Sequence, residues 1–236
     1  MIGFYDYTVV LTYMSLVSGM LGIIICLHGI GHPFVGIFFL MISGLCDTFD
    51  GRVARRKKDR TAREMSFGVQ IDSLADMVAF GVLPPCIGMA MLRSSERFTD
   101  QPHVFLQGEG DKRIIYPIVL MLICCVYVLA ALIRLAYFNV LEEERRQVET
   151  EKTPRGYIGL PVTSAALIFP TVMLVHYLTM ADLTLLYFGV MLLTSFLFVS
   201  RLQVPKPKLK GILVMISFGA IEFIFLLILY VLIKMH

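Results

Sequence analysis

Apolar residues come in long unbroken blocks along this chain, separated by short polar stretches. The pattern is neither the strict alternation of a half-buried strand nor the one-faced stripe of a surface helix. Blocks of roughly 20 residues, the length an α-helix needs to cross a hydrocarbon core, fall at 8–28, 33–55, 68–92, 114–139, 158–179, 183–200 and 211–234. They predict seven transmembrane helices joined by short loops, an all-α polytopic helical bundle with no sizeable soluble domain. Two blocks strain the pattern. The 183–200 block is the shortest, and the 68–92 block contains Asp72, Asp76 and the Pro84-Pro85 pair.

Composition agrees. Of the 236 residues, 57% are hydrophobic and 17% charged, with a mean hydropathy of +0.77; soluble domains carry about 45–50% apolar and about 25% charged residues. A water-soluble globular enzyme, a disordered chain and a disulfide scaffold are excluded. Cys26, Cys46, Cys124 and Cys125 lie in apolar blocks and Cys86 follows the proline pair; without zinc-ligand spacing they are expected as reduced packing residues. The first residues carry no basic n-region, so residues 8–28 are expected as a retained helix, not a signal peptide. The net charge of +3 is too small to suggest a nucleic-acid partner.

The placement of charge says more than its sum. Fifteen of the 21 lysines and arginines fall at the second, fourth and sixth loops, including Arg52, Arg55 to Lys58, Arg145, Arg146, Arg201 and Lys206. Positive loops stay inside, so these are expected to be cytoplasmic, together with the N-terminus. Attraction to anionic membrane lipids explains most of them. It does not explain the acids beside them.

Asp47 and Asp50 stand three apart at the end of the second block, and Asp72 and Asp76 four apart at the start of the third. On a helix each pair shares a face, and on adjacent antiparallel spans the four converge at one depth. A carboxylate near the membrane core costs about 2.5–3.5 kcal/mol on insertion scales. Salt bridges to Arg52 and Arg55 can neutralise two of them. They do not remove the repulsion within each pair, which a hard divalent cation with oxygen ligands does. Mg2+ sites of this kind typically add substrate phosphates to a few carboxylates, which implies a phosphate-bearing substrate. Gly51, Ala54 and Gly68 remove side chains around the cluster.

The run Asp47-x2-Asp50-Gly51-x2-Ala54-Arg55, followed by Gly68-x3-Asp72-x3-Asp76, resembles the signature of the CDP-alcohol phosphotransferase (CDP-alcohol phosphatidyltransferase) family. Twelve residues separate Arg55 from Gly68, more than the family's usual connector by about one helical turn. The resemblance implies a CDP-linked donor, with Asp47, Asp50 and Asp72 holding Mg2+ or Mn2+. Asp76 would ligate a second metal or act catalytically by taking the acceptor's hydroxyl proton. Gly51, Ala54 and Gly68 would border the cytidine and Arg55 a phosphate. It also implies a homodimer, a family membrane domain of six core spans over residues 1–210, and an added C-terminal helix over 211–236. The first span lacks the family's frequent asparagine, with Ser15 near its place.

Two later segments bear on the acceptor. Arg134-Leu135-Ala136-Tyr137-Phe138-Asn139 and Gly159-Leu160-Pro161 look like segments of bacterial CDP-diacylglycerol–serine O-phosphatidyltransferases. The resemblance therefore implies transfer of a phosphatidyl group from CDP-diacylglycerol to L-serine in a bacterial-type cell membrane, at a site facing the cytoplasm. Arg134, Asn139, Gly159 and Pro161 are the acceptor-binding candidates. An intramembrane arginine faces the bundle interior or snorkels to the surface, and Pro161 also suits a helix start. His176 is expected to pack, and Glu222 to make a polar contact within the bundle. Glycerol 3-phosphate or inositol phosphate is the alternative acceptor. A divalent-cation transporter is the rival from another class, but it calls for acids near mid-membrane, whereas these cluster at one face.

Overall fold

A computed structural model describes residues 3–4, 6–28, 33–57, 59, 61–95, 112–147, 156–179, 181–205 and 209–235. Helices dominate it: α1 (Val10–His28), α2 (Pro33–Arg56), α3 (Ala62–Asp76), α4 (Leu83–Ser94), α5 (Lys112–Gln147), α6 (Ala165–Thr179), α7 (Thr184–Val199) and α8 (Leu209–Met235). Among the described residues five helical stretches are long and apolar enough to cross a membrane, and α7 and the middle of α8 are shorter apolar helices. The chain is an integral membrane protein. Leu122, Leu129 and Phe196 on α5 and α7 are more than half exposed, as side chains facing lipid must be.

The third apolar block is one continuous span, Ala62–Ser94, although prolines break most helices. It survives by widening. Met77–Val82 between α3 and α4 is π-helical, the kind of bulge common near functional sites. Pro84 has no N–H to offer the carbonyl four residues back, and Tyr127 Oη on α5 donates to that Phe80 oxygen at 2.9 Å. Tyr187 Oη on α7 likewise donates to Pro84 O at 3.0 Å. Both tyrosines are fully buried; Tyr127 meets Phe169 edge-on and Phe198 at a tilt, and Tyr187 meets Phe169 at a tilt.

Hydroxyls lock α1 antiparallel to α2. Ser43 Oγ donates to Ser15 O and Ser15 Oγ to Ser43 O, at 3.0 and 3.3 Å, and Ser18 Oγ reaches Phe39 O at 2.9 Å. Gly19 lets α1 touch the π-helical segment, since a Cβ there would lie 2.9 Å from Ala79 Cα.

The fifth block differs from its expected outline. Its helix starts at Ala165, preceded by strand β1 (Gly156–Ile158) and a 3-10 turn at Val162–Ser164. Strand β1 pairs antiparallel with β2 (Gln203–Pro205). The cause is local: Gly159 has φ +79° and Pro161 an extended backbone, so neither is helical. Their neighbourhood is held by Gly159 N donating to Leu202 O (2.7 Å) and Leu160 N to Leu197 O (3.1 Å). At the other end of α6, His176 Nδ1 accepts from Leu183 N at 3.1 Å, the packed role expected of it.

Helix α8 docks through Phe223 against Phe38 of α2 and through Glu222, whose Oε1 meets Thr171 Oγ1 of α6. Glu222 thus has the bundle contact expected of it. The described cysteines are all free thiols.

Candidate active site

At the basic end of the bundle the last turns of α2 bring Asp47 and Asp50 to the last turns of α3, which carry Asp72 and Asp76. Asp47, Asp50 and Asp72 each place a carboxylate oxygen within 4.8 Å of the others. Asp50 is 6% exposed and Asp76, one turn deeper than Asp72, is 7% exposed. Three negative charges at 4.8 Å or less repel by at least about 3 kcal/mol per pair at an effective dielectric near 20. A divalent cation reverses that sign, and an all-oxygen donor set suits a hard ion. Asp76 stands outside the trio yet within electrostatic reach of all three, suited to a second ion or to a proton.

Neighbouring elements hold these acids in place. Thr12 Oγ1 on α1 donates to Asp50 Oδ2 at 3.1 Å. Ser73, next to Asp72, donates to Asn139 Oδ1 of α5 at 2.7 Å. Gly51 and Ala54 share the face of Asp47 and Asp50, and Gly68 lies one turn before Asp72, so small residues border the cluster. Arg52 does not neutralise it. Its guanidinium stacks over Phe49 at 5.9 Å, and by helical periodicity that face points away from the aspartates. The Arg55 side chain is outside the described residues.

A second feature adjoins α5. Arg134 is 6% exposed, so it faces inward and does not snorkel. Its Nε donates to Leu160 O at 3.2 Å, and its guanidinium lies 5.6 Å from the Phe138 ring centre. It lines a cavity of about 510 Å³ with Tyr137, Phe198, Ser200 and Arg201. Gly159 packs against this wall: a Cβ there would stand 2.7 Å from Phe198 O and 3.4 Å from Arg134 Nε. Pro161 caps the 3-10 turn that follows. Of the four acceptor candidates, Arg134 alone lines the cavity; Gly159 packs against its wall, Pro161 caps the turn that follows, and Asn139 is a tether to α3.

Residues 8–200 match the family model of CDP-alcohol phosphatidyltransferases. The chain belongs to the CDP-alcohol phosphatidyltransferase family. It is 30% identical over 202 residues to the CDP-diacylglycerol–serine O-phosphatidyltransferase of Helicobacter pylori strain J99, covering 84% of this chain and 70% of that one. The enzyme of the same name from Saccharomyces cerevisiae is 30% identical over 164 residues, 67% of this chain and 50% of the relative. That from Methanocaldococcus jannaschii is 25% identical over 195 residues, 83% and 71% of the two chains. A phosphatidyltransferase of phospholipid biosynthesis is the enzyme class these matches carry. The matched stretch ends before α8.

Within this phosphatidyltransferase, three residues at the site escape a reading by motif. Thr12 is a polar residue in an apolar block, level with Asp50, and that depth is its one sequence signal. Ser73 sits between two acids without a spacing rule to mark it. Arg201 reads as one more loop cation until the fold brings it beside Arg134.

Proposed function

We propose that this protein transfers the phosphatidyl group of CDP-diacylglycerol to L-serine, giving phosphatidylserine and CMP, at a site facing the cytoplasm. The observation that carries the reading is the trio Asp47, Asp50 and Asp72 on the family motif, within 4.8 Å at the bundle's basic end. These three would hold Mg2+ or Mn2+, which when bound offsets the diphosphate charge and steadies the CMP leaving group. Gly51, Ala54 and Gly68 admit the cytidine, and Arg55 meets a phosphate. Asp76 accepts the proton of the serine hydroxyl as its oxygen attacks the lipid-linked phosphorus in line and CMP departs. Arg134 supplies the cation for the serine carboxylate. Its Nε is engaged by Leu160 O, which fixes the planar fork. The lipid tails stay in the bilayer, and a homodimer is part of this reading.

Arg201 favours a second reading. Two guanidinium groups on one cavity also suit an acceptor carrying a phosphate, such as glycerol 3-phosphate or inositol phosphate. The names of the curated relatives weigh for serine. Purified protein supplied with CDP-diacylglycerol, divalent metal and a panel of radiolabelled acceptors decides between them. Labelled phosphatidylserine is expected; label from glycerol 3-phosphate or inositol phosphate alone overturns the serine assignment.

A further inference from the structure

The connector between the two halves of the aspartate motif ends in helix. Thr61 caps α3 with a full capping box: Glu64 N donates to Thr61 Oγ1 at 3.2 Å, and Thr61 N to Glu64 Oε2 at 2.7 Å. Six residues, Ala62 to Phe67, therefore extend α3 on the N-terminal side of Gly68. Such an extension at the end of a bundle needs something to hold it.

The start of the chain does so. Lys57 Nζ, in the connector, donates to Asp6 Oδ2 at 2.6 Å and reaches Glu64 Oε1 at 3.5 Å. Asp6 Oδ1 accepts from Tyr7 N at 2.7 Å, capping the turn that leads into α1. Phe4 packs edge-on against Phe67, ring centres 5.5 Å apart, next to Gly68. Thr12 at the start of α1 donates to Asp50. One short N-terminal stretch thus touches the first half of the motif at Asp50 and the connector at Lys57 and Phe67, the residue that leads into the second half. The Asp6 hydrogen bond raises the Lys57 ammonium above its usual pKa although desolvation opposes it, so the clasp stays charged at neutral pH.

We infer that the N-terminal stretch carrying Phe4, Asp6 and Thr12 is a strap that sets the spacing of the two motif halves, with the Asp6–Lys57–Glu64 cluster as its clasp. Lys57 and Asp6 are positioning residues. Their ion pair acts through α3 on the gap that the donor's diphosphate must fit. The inference rests on the proposed donor chemistry.

The test measures KM for CDP-diacylglycerol and kcat for Asp6→Asn, Lys57→Met, the double variant and Lys57→Arg, with melting temperatures alongside. Partly exposed ion pairs act modestly, so KM is expected to rise about threefold. The rise should be equal in both single variants and the double, with kcat unchanged and Lys57→Arg like wild type. Added KCl should raise the wild-type KM toward theirs and leave theirs unmoved, because salt screens this pair. A KM unchanged in all variants, additive effects, or a salt response shared by wild type and variants overturns the strap. A wild type that releases no CMP with any acceptor overturns the donor chemistry, and the strap's role with it.

Discussion

Replacing Gly159 with alanine places a methyl group where the structure has no room and no tolerance. At φ +79° a side chain costs about 1–2 kcal/mol from Cβ–carbonyl crowding alone. The new Cβ would stand 2.7 Å from Phe198 O and 3.1 Å from Ser200 O. Both are backbone atoms, so relief requires moving the end of α7, at a further cost of about 1–3 kcal/mol. Together these come to about 2–5 kcal/mol, and about 2–4 °C per kcal/mol for a chain of this size gives a fall of about 4–20 °C. Gly189 supplies the control, because a Cβ there meets nothing within 4 Å and alanine is favoured over glycine in a helix by about 1 kcal/mol. Thermal melting of both purified variants in one detergent is the assay. Gly159→Ala should melt well below wild type and Gly189→Ala at or slightly above it. The displaced turn also carries the Leu160 carbonyl that holds Arg134, so KM for the acceptor should rise in the first variant alone. Equal melting of Gly159→Ala and wild type would refute the account of this turn.

Arg134→Lys keeps the charge but loses the planar fork; KM for serine should rise while binding of CDP-diacylglycerol stays near wild type, and unchanged serine kinetics would remove Arg134 from the acceptor site. Asp76→Asn should abolish turnover yet retain donor binding in a filter assay, because the trio is intact; lost donor binding would instead mark Asp76 as chiefly a metal ligand.

The helical bundle was legible because membrane spans announce themselves by length and hydropathy, which need no tertiary information. Spacing along a helix also sufficed to put Asp47 beside Asp50. What the sequence could not convey was how backbone geometry answers local conflict. The Pro84-Pro85 pair strains the pattern of the predicted third span, and a π-helical segment and two buried tyrosine hydroxyls from α5 and α7 keep that span whole. Gly159 and Pro161 also suit the start of a helix, but the positive φ of Gly159 and the extended backbone of Pro161 put them in a turn after strand β1. A salt bridge from Arg52 is one way to offset an aspartate, and its position over Phe49 on the opposite face prevents that. Asn139 matched an acceptor-side segment, whereas its partner is Ser73. For the proline pair and for Asn139 the deciding contact comes from another span, outside the reach of any local pattern.

The claim most exposed to measurement is that Asp47, Asp50 and Asp72 together hold a divalent ion required for CMP release. Binding of Mn2+ to the purified protein, followed by the loss of the free-ion electron paramagnetic resonance signal, tests it alongside CMP release from CDP-diacylglycerol. Wild type should bind the ion and release CMP only when it is present. Asp47→Asn, Asp50→Asn and Asp72→Asn should each stay folded and lose both properties, since hard-ion affinity depends on carboxylate charge. Full CMP release by any two of these variants would contradict the account.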